Sequence, residues 1–461
     1  MITAEAWRNK HYAVYGLARS GQATVRALLA SGARVTAWDE KEEARAALRT
    51  SLSRSDGEVA ARSADGGASG APAGPSTTQP AAERSPSPSL RNGEVLRIAP
   101  LDDLSQFDSL VVSPGVPLNT HPLAVRARQA GLEIIGDIEL FARARSELPP
   151  HKVVGITGTN GKSTTTALVH HILKTAGVPA TMGGNIGLPI LAQDPLPEGG
   201  VYVLELSSFQ IDLTQSLDCD VAVLLNITPD HLDRYESFEA YAAAKERLFA
   251  MSSGLHVDLR APATTGAHFS FSGQQGTGLR PSPERWPALQ GPHNAQNVAA
   301  AVAACRHLGL AEAAIEAALR TYPGLPHRME RVREIEGVLF VNDSKATNAE
   351  AAAPALAAYP RIRWIVGGQA KTKELGDTER HLDHVVRAYT IGEAGPMFAR
   401  LLQERGVAVT QAETLENAVK RAAEDSQAGE TVLLSPACAS FDQFRDFEAR
   451  GDAFRALVGE V

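Results

Sequence analysis

The run Gly155-Ile-Thr-Gly158-Thr159-Asn160-Gly161-Lys162-Ser163 carries the most pointed chemistry in the chain. Glycines let backbone N–H groups converge on phosphate oxygens, a lysine adds positive charge, and the adjoining hydroxyl suits a magnesium ion. Such a loop grips a nucleoside triphosphate. Its spacing is a variant, because counting back from Gly161 puts Ile156 where the strict pattern has its first glycine and leaves Gly155 one residue early.

Further candidates sit after apolar runs. Glu205 in LELSSFQ and His231 in TPDHLDR follow predicted strands, whose C-terminal ends open onto the ligand crevice of α/β sheets. A lone histidine is more often structural. Lys245 in YAAAKERLF reads by itself as a solvated helical lysine. Gly16-Leu-Ala-Arg-Ser-Gly21, with Asp39 after the next strand, has the outline of a dinucleotide fingerprint, but Ala18 replaces the glycine that lets a pyrophosphate approach. Another nucleotide fits there. A nicotinamide-dependent dehydrogenase stays open as the alternative, and it leaves the loop at 155 unexplained. Asn342–Asn348 (NDSKATN) and Ser435–Phe444 (SPACASFDQF) offer hydroxyls and a lysine suited to carboxylate or phosphate, and helix capping would use the same residue types.

The elements that must position these residues alternate strand and helix. Tyr12–Gly16, a helix-like stretch to Gly32 and Arg34–Asp39 form a β-α-β unit, and Asp108–Ser113 and a helix near Pro122–Ala130 follow. The pattern restarts with a strand at Lys152–Ile156, a helix at Thr164–Thr175 stopped by Gly177, and strands at Val201–Glu205 and Val221–Asn226. Residues 254–292 show little periodicity, and an Ala-rich helix covers about Asn294–Leu308. Strands at Val338–Asn342, Arg363–Val366 and Thr431–Leu434, with a helix at Ala349–Ala358, build a third α/β section. Breaks near Pro149-Pro150 and Pro323-Gly324 divide the chain into 1–148, 149–323 and 324–461. Ser, Ala, Gly and Pro fill 28 of the 43 positions from 51 to 93, too little apolar surface for a core, so a disordered insertion is expected there.

At 461 residues the chain exceeds one compact core. A net charge of -8 gives no broad basic surface for nucleic acid. Cys219, Cys305 and Cys438 are odd in number and widely spaced, against a disulfide framework or zinc site. With no signal-peptide core and no apolar run of about 18 residues, a cytoplasmic protein without membrane insertion is expected.

Taken in order, GTNGKST (158–164), GGNIG (183–187), LELSSFQ (204–210), DHLDR (230–234), AAAKERLF (242–249), GPHNAQN (291–297), HR (327–328), NDSKATN (342–348) and SPACASFDQF (435–444) closely resemble the Mur ligases, within them the branch that adds D-glutamate to UDP-N-acetylmuramoyl-L-alanine. The resemblance spans nearly the whole chain apart from 51–93. It implies an α/β fold of three domains: a Rossmann-like N-terminal domain for the uridine substrate, a central P-loop ATPase domain, and a Rossmann-like C-terminal domain carrying the D-glutamate site. It also implies ATP-dependent ligation through an acyl phosphate in peptidoglycan precursor synthesis, acting on small molecules; apart from the resemblance, a monomer is expected.

Residue by residue, the resemblance assigns Gly158, Thr159, Asn160, Gly161, Lys162, Ser163, Thr164, Asn294, Asn297, Arg328, Asp343 and Lys345 to ATP. Asp39, Ser113, Asn185 and His231 fall to the uridine substrate, and Thr347, Lys371, Ser440 and Phe447 to D-glutamate. Lys373 competes with Lys371, because GGQAKTKE offers both. Of two expected magnesium ions, one falls to Ser163 and Glu205 and the other to His231 and Lys245. The family lysine at Lys245 is carbamylated by carbon dioxide, which turns a cationic amine into an anionic oxygen ligand. Lys162, His231 and Lys245 are the expected catalytic residues. The short stretch between AAAKERLF and GPHNAQN lacks the acidic pair of many relatives, and no DNPR-type segment for a diaminoacid is present.

Overall fold

The computed structural model describes residues 1–52, 95–231, 233–260, 268–270, 285–289 and 292–461. Most of the insertion expected over 51–93, together with Leu232 and Gly291 of two motifs, lies outside the described residues. Contacts gather the chain into two compact units: residues 1–157 with 179–222 and 229–254, and residues 158–178 with 223–228 and 255–461.

Seventeen described strands form three sheets. The first holds β1 (His11–Tyr15), β2 (Arg34–Trp38), β3 (Leu96–Ile98), β4 (Ser109–Val112) and β5 (Ile134–Ile135) in the order β3-β2-β1-β4-β5, parallel throughout. Its order switches direction at β1, and the crevice of such a sheet lies beyond the C-terminal strand ends at that switch. Gly16 and Ser113 stand there, each one residue past its strand. Helix α1 (Arg19–Ala30) buries Val25, Ala27 and Leu28 in the same core as Val14 and Val35.

The second sheet comprises β6 (His151–Thr157), β7 (Ala180–Gly184), β8 (Gly200–Glu205), β9 (Val221–Leu224), β10 (Leu255–Asp258) and β11 (His268–Ser270), in the order β11-β10-β9-β6-β8-β7. Both β8 and β9 are buried along their whole length, as expected of a parallel strand covered on both faces. Helix α2 (Lys162–Thr175) follows β6, starting two residues earlier than its apolar pattern suggests, and Gly177 at φ +78° ends it. Helices α3 (Phe238–Ala250) and α4 (Pro292–His307) carry the AAAKERLF and HNAQN residues.

The third sheet joins β12 (Glu330–Ile335), β13 (Val338–Asn342), β14 (Ile362–Gly367), β15 (Val385–Ile391), β16 (Val409–Glu413) and β17 (Thr431–Leu434) in the order β12-β13-β17-β14-β15-β16. Only the edge pair β12–β13 is antiparallel. Helix α5 (Ala349–Ala358) leaves the loop after β13, and α6 (Phe447–Glu460) follows the loop after β17. Each sheet draws its strands from one of the three sections expected from sequence.

Two segments carry more structure than their sequence pattern shows. Residues 254–292 are not without regular structure, since β10 and β11 pair in parallel there. Those strands are four and three residues long, too short for an alternating pattern to register. Gly155 lies within β6, inside the strand expected at Lys152–Ile156. A Cβ at that position would stand 2.8 Å from Cys219 Sγ, so its missing side chain serves strand packing. Among the described residues no helix is long and apolar enough to cross a membrane.

Candidate active site

In the second unit, the loop after β6 is built by two glycines that no L-residue replaces comfortably. Gly158 has φ +151° and Gly161 φ +85°, and a Cβ on Gly161 would sit 2.3 Å from Asn297 Oδ1. Gly161 caps α2 without any side-chain acceptor, which leaves the first-turn N–H groups for a ligand. Lys162 Nζ donates to Gly158 O (2.7 Å) and Thr159 O (2.8 Å) and so folds back over the loop. Arg328 Nη2 donates to Ser163 Oγ at 2.9 Å, bringing a second cation to the same place.

Of the positions expected to contact ATP, all but Gly158, Thr159, Lys162 and Ser163 line one cavity of this unit. Asn297 Oδ1 accepts from Thr165 Oγ1, and Asn297 Nδ2 donates to Asn294 Oδ1, so α4 is pinned to α2. Asp343 is buried one residue beyond β13; its carboxylate accepts from Ser435 Oγ (2.8 Å) and Met329 N (3.1 Å). Burial pushes that carboxyl up to about 7, against the lowering pull of those two donors and the Arg328 charge.

The folded state holds the Asp343 proton across the window from about 3.8 to about 7, where the unfolded chain has released it, so stability falls as pH rises through the window. Asp343→Asn is expected to flatten this part of the profile, read from denaturant midpoints at about pH 5 and about pH 8. An unchanged slope would mean another group titrates there.

Sequence reasoning missed Asn226, in the same unit. Its Oδ1 accepts from Asn160 N (2.9 Å), its Nδ2 donates to Asn160 O (3.1 Å), and its own carbonyl accepts from Thr159 N (2.9 Å). It splints the phosphate loop. The available signal was its place just past β9, at a strand end beside the loop strand.

The residues expected around D-glutamate surround the strand ends of the third sheet. Lys345 Nζ lies 3.7 Å from the Phe447 ring centroid, a cation–π contact. Ser440 is buried and Thr347 half-buried, while Lys371 and Lys373 are both exposed, so exposure does not choose between the two lysines.

In the first unit, Glu205 is 2 % exposed and its Oε2 has no hydrogen-bond partner among the described residues. Its Oε1 accepts from Asn185 Nδ2 at 2.9 Å, and its carbonyl from Asn185 N at 2.8 Å. Asn185, expected against the uridine substrate, thus also orients the expected metal ligand. An orphaned buried carboxylate oxygen costs free energy unless something cationic meets it, which fits a hard metal ion. Among the described residues no group of three His, Cys, Asp or Glu could hold a metal ion.

Lys245 is 2 % exposed, its Nζ 4.8 Å from the Tyr241 ring centroid, which overturns its reading as a solvated lysine. His231 has φ +52° and packs against the Phe209 ring (centroids 4.9 Å apart) and more distantly against Tyr241. Arg234 stacks over the Phe209 ring at 4.1 Å and donates to Val116 O at 2.7 Å. These residues tie the DHLDR segment to the loop after β4.

At the switch of the first sheet, Asp39 Oδ2 accepts from Leu17 N (2.7 Å) and Ser113 Oγ donates to Gly16 O (2.7 Å). Both expected substrate residues brace the Gly16–Gly21 turn. A Cβ on Gly21 would meet Gly16 O at 1.9 Å, so both glycines are required for the turn even with Ala18 between them.

Residues 156–257 match the family described as Mur ligase middle domain, and residues 327–438 that described as Mur ligase, glutamate ligase domain. The UDP-N-acetylmuramoylalanine--D-glutamate ligase of Novosphingobium aromaticivorans is 55% identical over 99% of this chain and 96% of its own length. Those of Sphingopyxis alaskensis and Zymomonas mobilis are 54% and 50% identical, each over 99% of both chains. The crystal structure of the UDP-N-acetylmuramate-alanine ligase MurC from Thermotoga maritima aligns over 98% of this chain and 99% of its own, with TM-score 0.56 and 19% identity. The MurF ligase of the same organism, solved with ADP, aligns over 99% and 97% with TM-score 0.54 and 17% identity. Those two structures speak for the three-domain α/β fold. With relatives half or more identical along their full length, this chain belongs to the Mur ligase family, in its group of UDP-N-acetylmuramoylalanine--D-glutamate ligases.

Proposed function

We propose that the protein joins D-glutamate to UDP-N-acetylmuramoyl-L-alanine at the expense of ATP, a cytoplasmic step of peptidoglycan precursor synthesis carried out by a monomer. The observation that carries this reading is the cavity of the second unit, where an uncapped helix start meets Arg328, Asp343 and Lys345. The naming of close relatives supports the choice of substrates.

The L-alanine carboxylate attacks the γ-phosphorus, the bond to the β,γ-bridging oxygen breaks, and ADP leaves. The D-glutamate amine then attacks the acyl carbon, its C–O bond to phosphate breaks, and the amine proton passes to solvent. Phosphoryl transfer of this kind depends on positioning and on neutralising charge spread over phosphate oxygens. Lys162 reaches the β,γ-oxygens by exchanging its two carbonyl partners for them, with the N–H groups of α2 beneath. Arg328 supplies charge beside Ser163, and Asn294, Asn297, Asp343 and Lys345 line the same cavity for the nucleotide.

Ser163 and Glu205 would hold one magnesium ion, and His231 with a carbamate formed from carbon dioxide on Lys245 a second. Such ions supply further neutralisation of phosphate charge. Asp39, Ser113 and Asn185 serve the uridine substrate, and Thr347, Ser440, Phe447 and Lys371 or Lys373 serve D-glutamate. Purified protein is expected to release phosphate only with ATP, magnesium, UDP-N-acetylmuramoyl-L-alanine and D-glutamate all present. Equal turnover with L-lysine or diaminopimelate would overturn the assignment of the amine, and ATP binding without amine-dependent turnover would make the protein a nucleotide-binding regulator instead.

A further inference from the structure

A buried arginine outside every residue set described so far stands where the segments of the acceptor site meet. Arg450 lies in the first turn of α6, whose start is capped by the Asp446 carboxylate accepting from Ala449 N at 2.7 Å. Its side chain is 1 % exposed. Nε donates to Ser344 Oγ (3.0 Å), Nη2 to Ser344 O (2.9 Å) and Cys438 O (3.0 Å), and Nη1 to Ala439 O (3.3 Å).

The guanidinium therefore links several loops at once. Ser344 lies between Asp343 and Lys345 in the loop after β13, and its hydroxyl passes a hydrogen bond on to Phe447 O at 2.9 Å. Cys438 and Ala439 immediately precede Ser440 in the loop after β17. Ala439 in turn exchanges two backbone hydrogen bonds with Gln369, in the loop after β14 that leads to Lys371. Gly368, at φ +129°, clears the way, since a Cβ there would meet Ala439 O at 2.3 Å and Nη1 at 3.1 Å. Every segment assigned to D-glutamate is thus fastened, directly or through one backbone bridge, to a single side chain.

Its partners are all carbonyls and a hydroxyl. Among the described residues Arg450 forms no ion pair, and Asp442 acts on it only through longer-range attraction. A fully buried cation without an anion is costly to keep, and an apolar side chain of similar length would fill the same space at less cost. The fork geometry explains the loop clamping, because five fixed N–H donors can satisfy several carbonyls where a lysine cannot. The retained charge needs a second explanation. An acceptor that enters with two carboxylates supplies negative charge to the side of the third sheet where this cation has none.

We propose that Arg450 is a positioning residue for the acceptor amino acid, holding the loops 343–348, 367–371 and 435–440 in register and lending them an uncompensated positive charge. This rests on the reaction proposed above. In the full-length enzyme, Arg450→Lys and Arg450→Met are each compared with wild type for KM of D-glutamate, KM of ATP and kcat. Both variants are expected to raise KM for D-glutamate on the order of ten-fold, several times more than the rise in KM for ATP that Asp343 and Lys345 of the shared loop 343–348 pass on, the lysine variant less affected than the methionine one because it keeps the charge. Parallel changes in both KM values, or unchanged KM values with only a lower melting temperature, would overturn the inference by reducing Arg450 to a packing element. Should Arg450→Met fail to fold, Ser344→Ala removes one acceptor without touching the charge and is expected to show the same split at smaller size; no split there would equally overturn it. Wild-type enzyme that ignores D-glutamate would instead sink the reaction itself, a separate outcome.

Discussion

Lys162→Ala is expected to cut phosphate release on the order of a thousand-fold or more while the protein keeps its melting temperature within a few degrees. The magnitude follows from where the charge is needed. Negative charge in the transition state spreads over the γ-phosphoryl oxygens, and a cation placed there in advance stabilises it without reorganisation. Lys162 starts α2 and bonds two carbonyls of its own loop, Gly158 and Thr159, so its loss costs little structure. The loop itself is held by other means: Gly158 and Gly161 supply the backbone angles, and Asn226 bonds both sides of Asn160. The check is the four-component phosphate assay beside a thermal melt. Activity within ten-fold of wild type would mean that this loop does not cradle the transferred phosphate.

The second large effect is expected at Lys245. A lysine side chain 2 % exposed, its Nζ 4.8 Å from the Tyr241 ring centroid, is not a solvent-facing charge. A neutral amine reacts with carbon dioxide, and the carbamate so formed carries its charge on oxygen, suited to a hard cation. Lys245→Ala is expected to lose at least about a hundred-fold in kcat, the equivalent of about 3 kcal/mol of charge stabilisation. Added bicarbonate is not expected to restore activity, because the nitrogen that would capture carbon dioxide is gone. A short-chain carboxylic acid is expected to restore part of it by placing a carboxylate in the vacated space. Full activity in Lys245→Ala would remove the carbamate from the mechanism.

Residues that are neighbours in sequence were read well. The β13 strand at Val338–Asn342, the helix at Ala349–Ala358 and the strand at Thr431–Leu434 coincide with their expected ranges. Their apolar runs, the Asn348 cap and the glycine after α2 act within a turn or two of chain, so the information sits where the structure forms. The phosphate loop was legible for the same reason, as a strand, two positive-φ glycines and a helix start follow each other without a gap. Short strands such as β10 and β11 were not, because their stability comes from a neighbour strand rather than from their own pattern.

The chemistry of single residues divides along the same line. Sequence alone determined that a triphosphate loop exists, which lysine and hydroxyl it offers, and which motifs accompany it. Only the tertiary structure decided that Lys245 is buried, that Glu205 keeps a carboxylate oxygen unpartnered among the described residues, that Asn226 splints the loop, that Gly155 makes room for Cys219 Sγ, and that Arg450 ties the loops bearing Ser344 and Ser440. Those properties depend on which distant segment arrives beside a side chain, and burial and hydrogen-bond partners are set by that arrival rather than by the neighbouring letters.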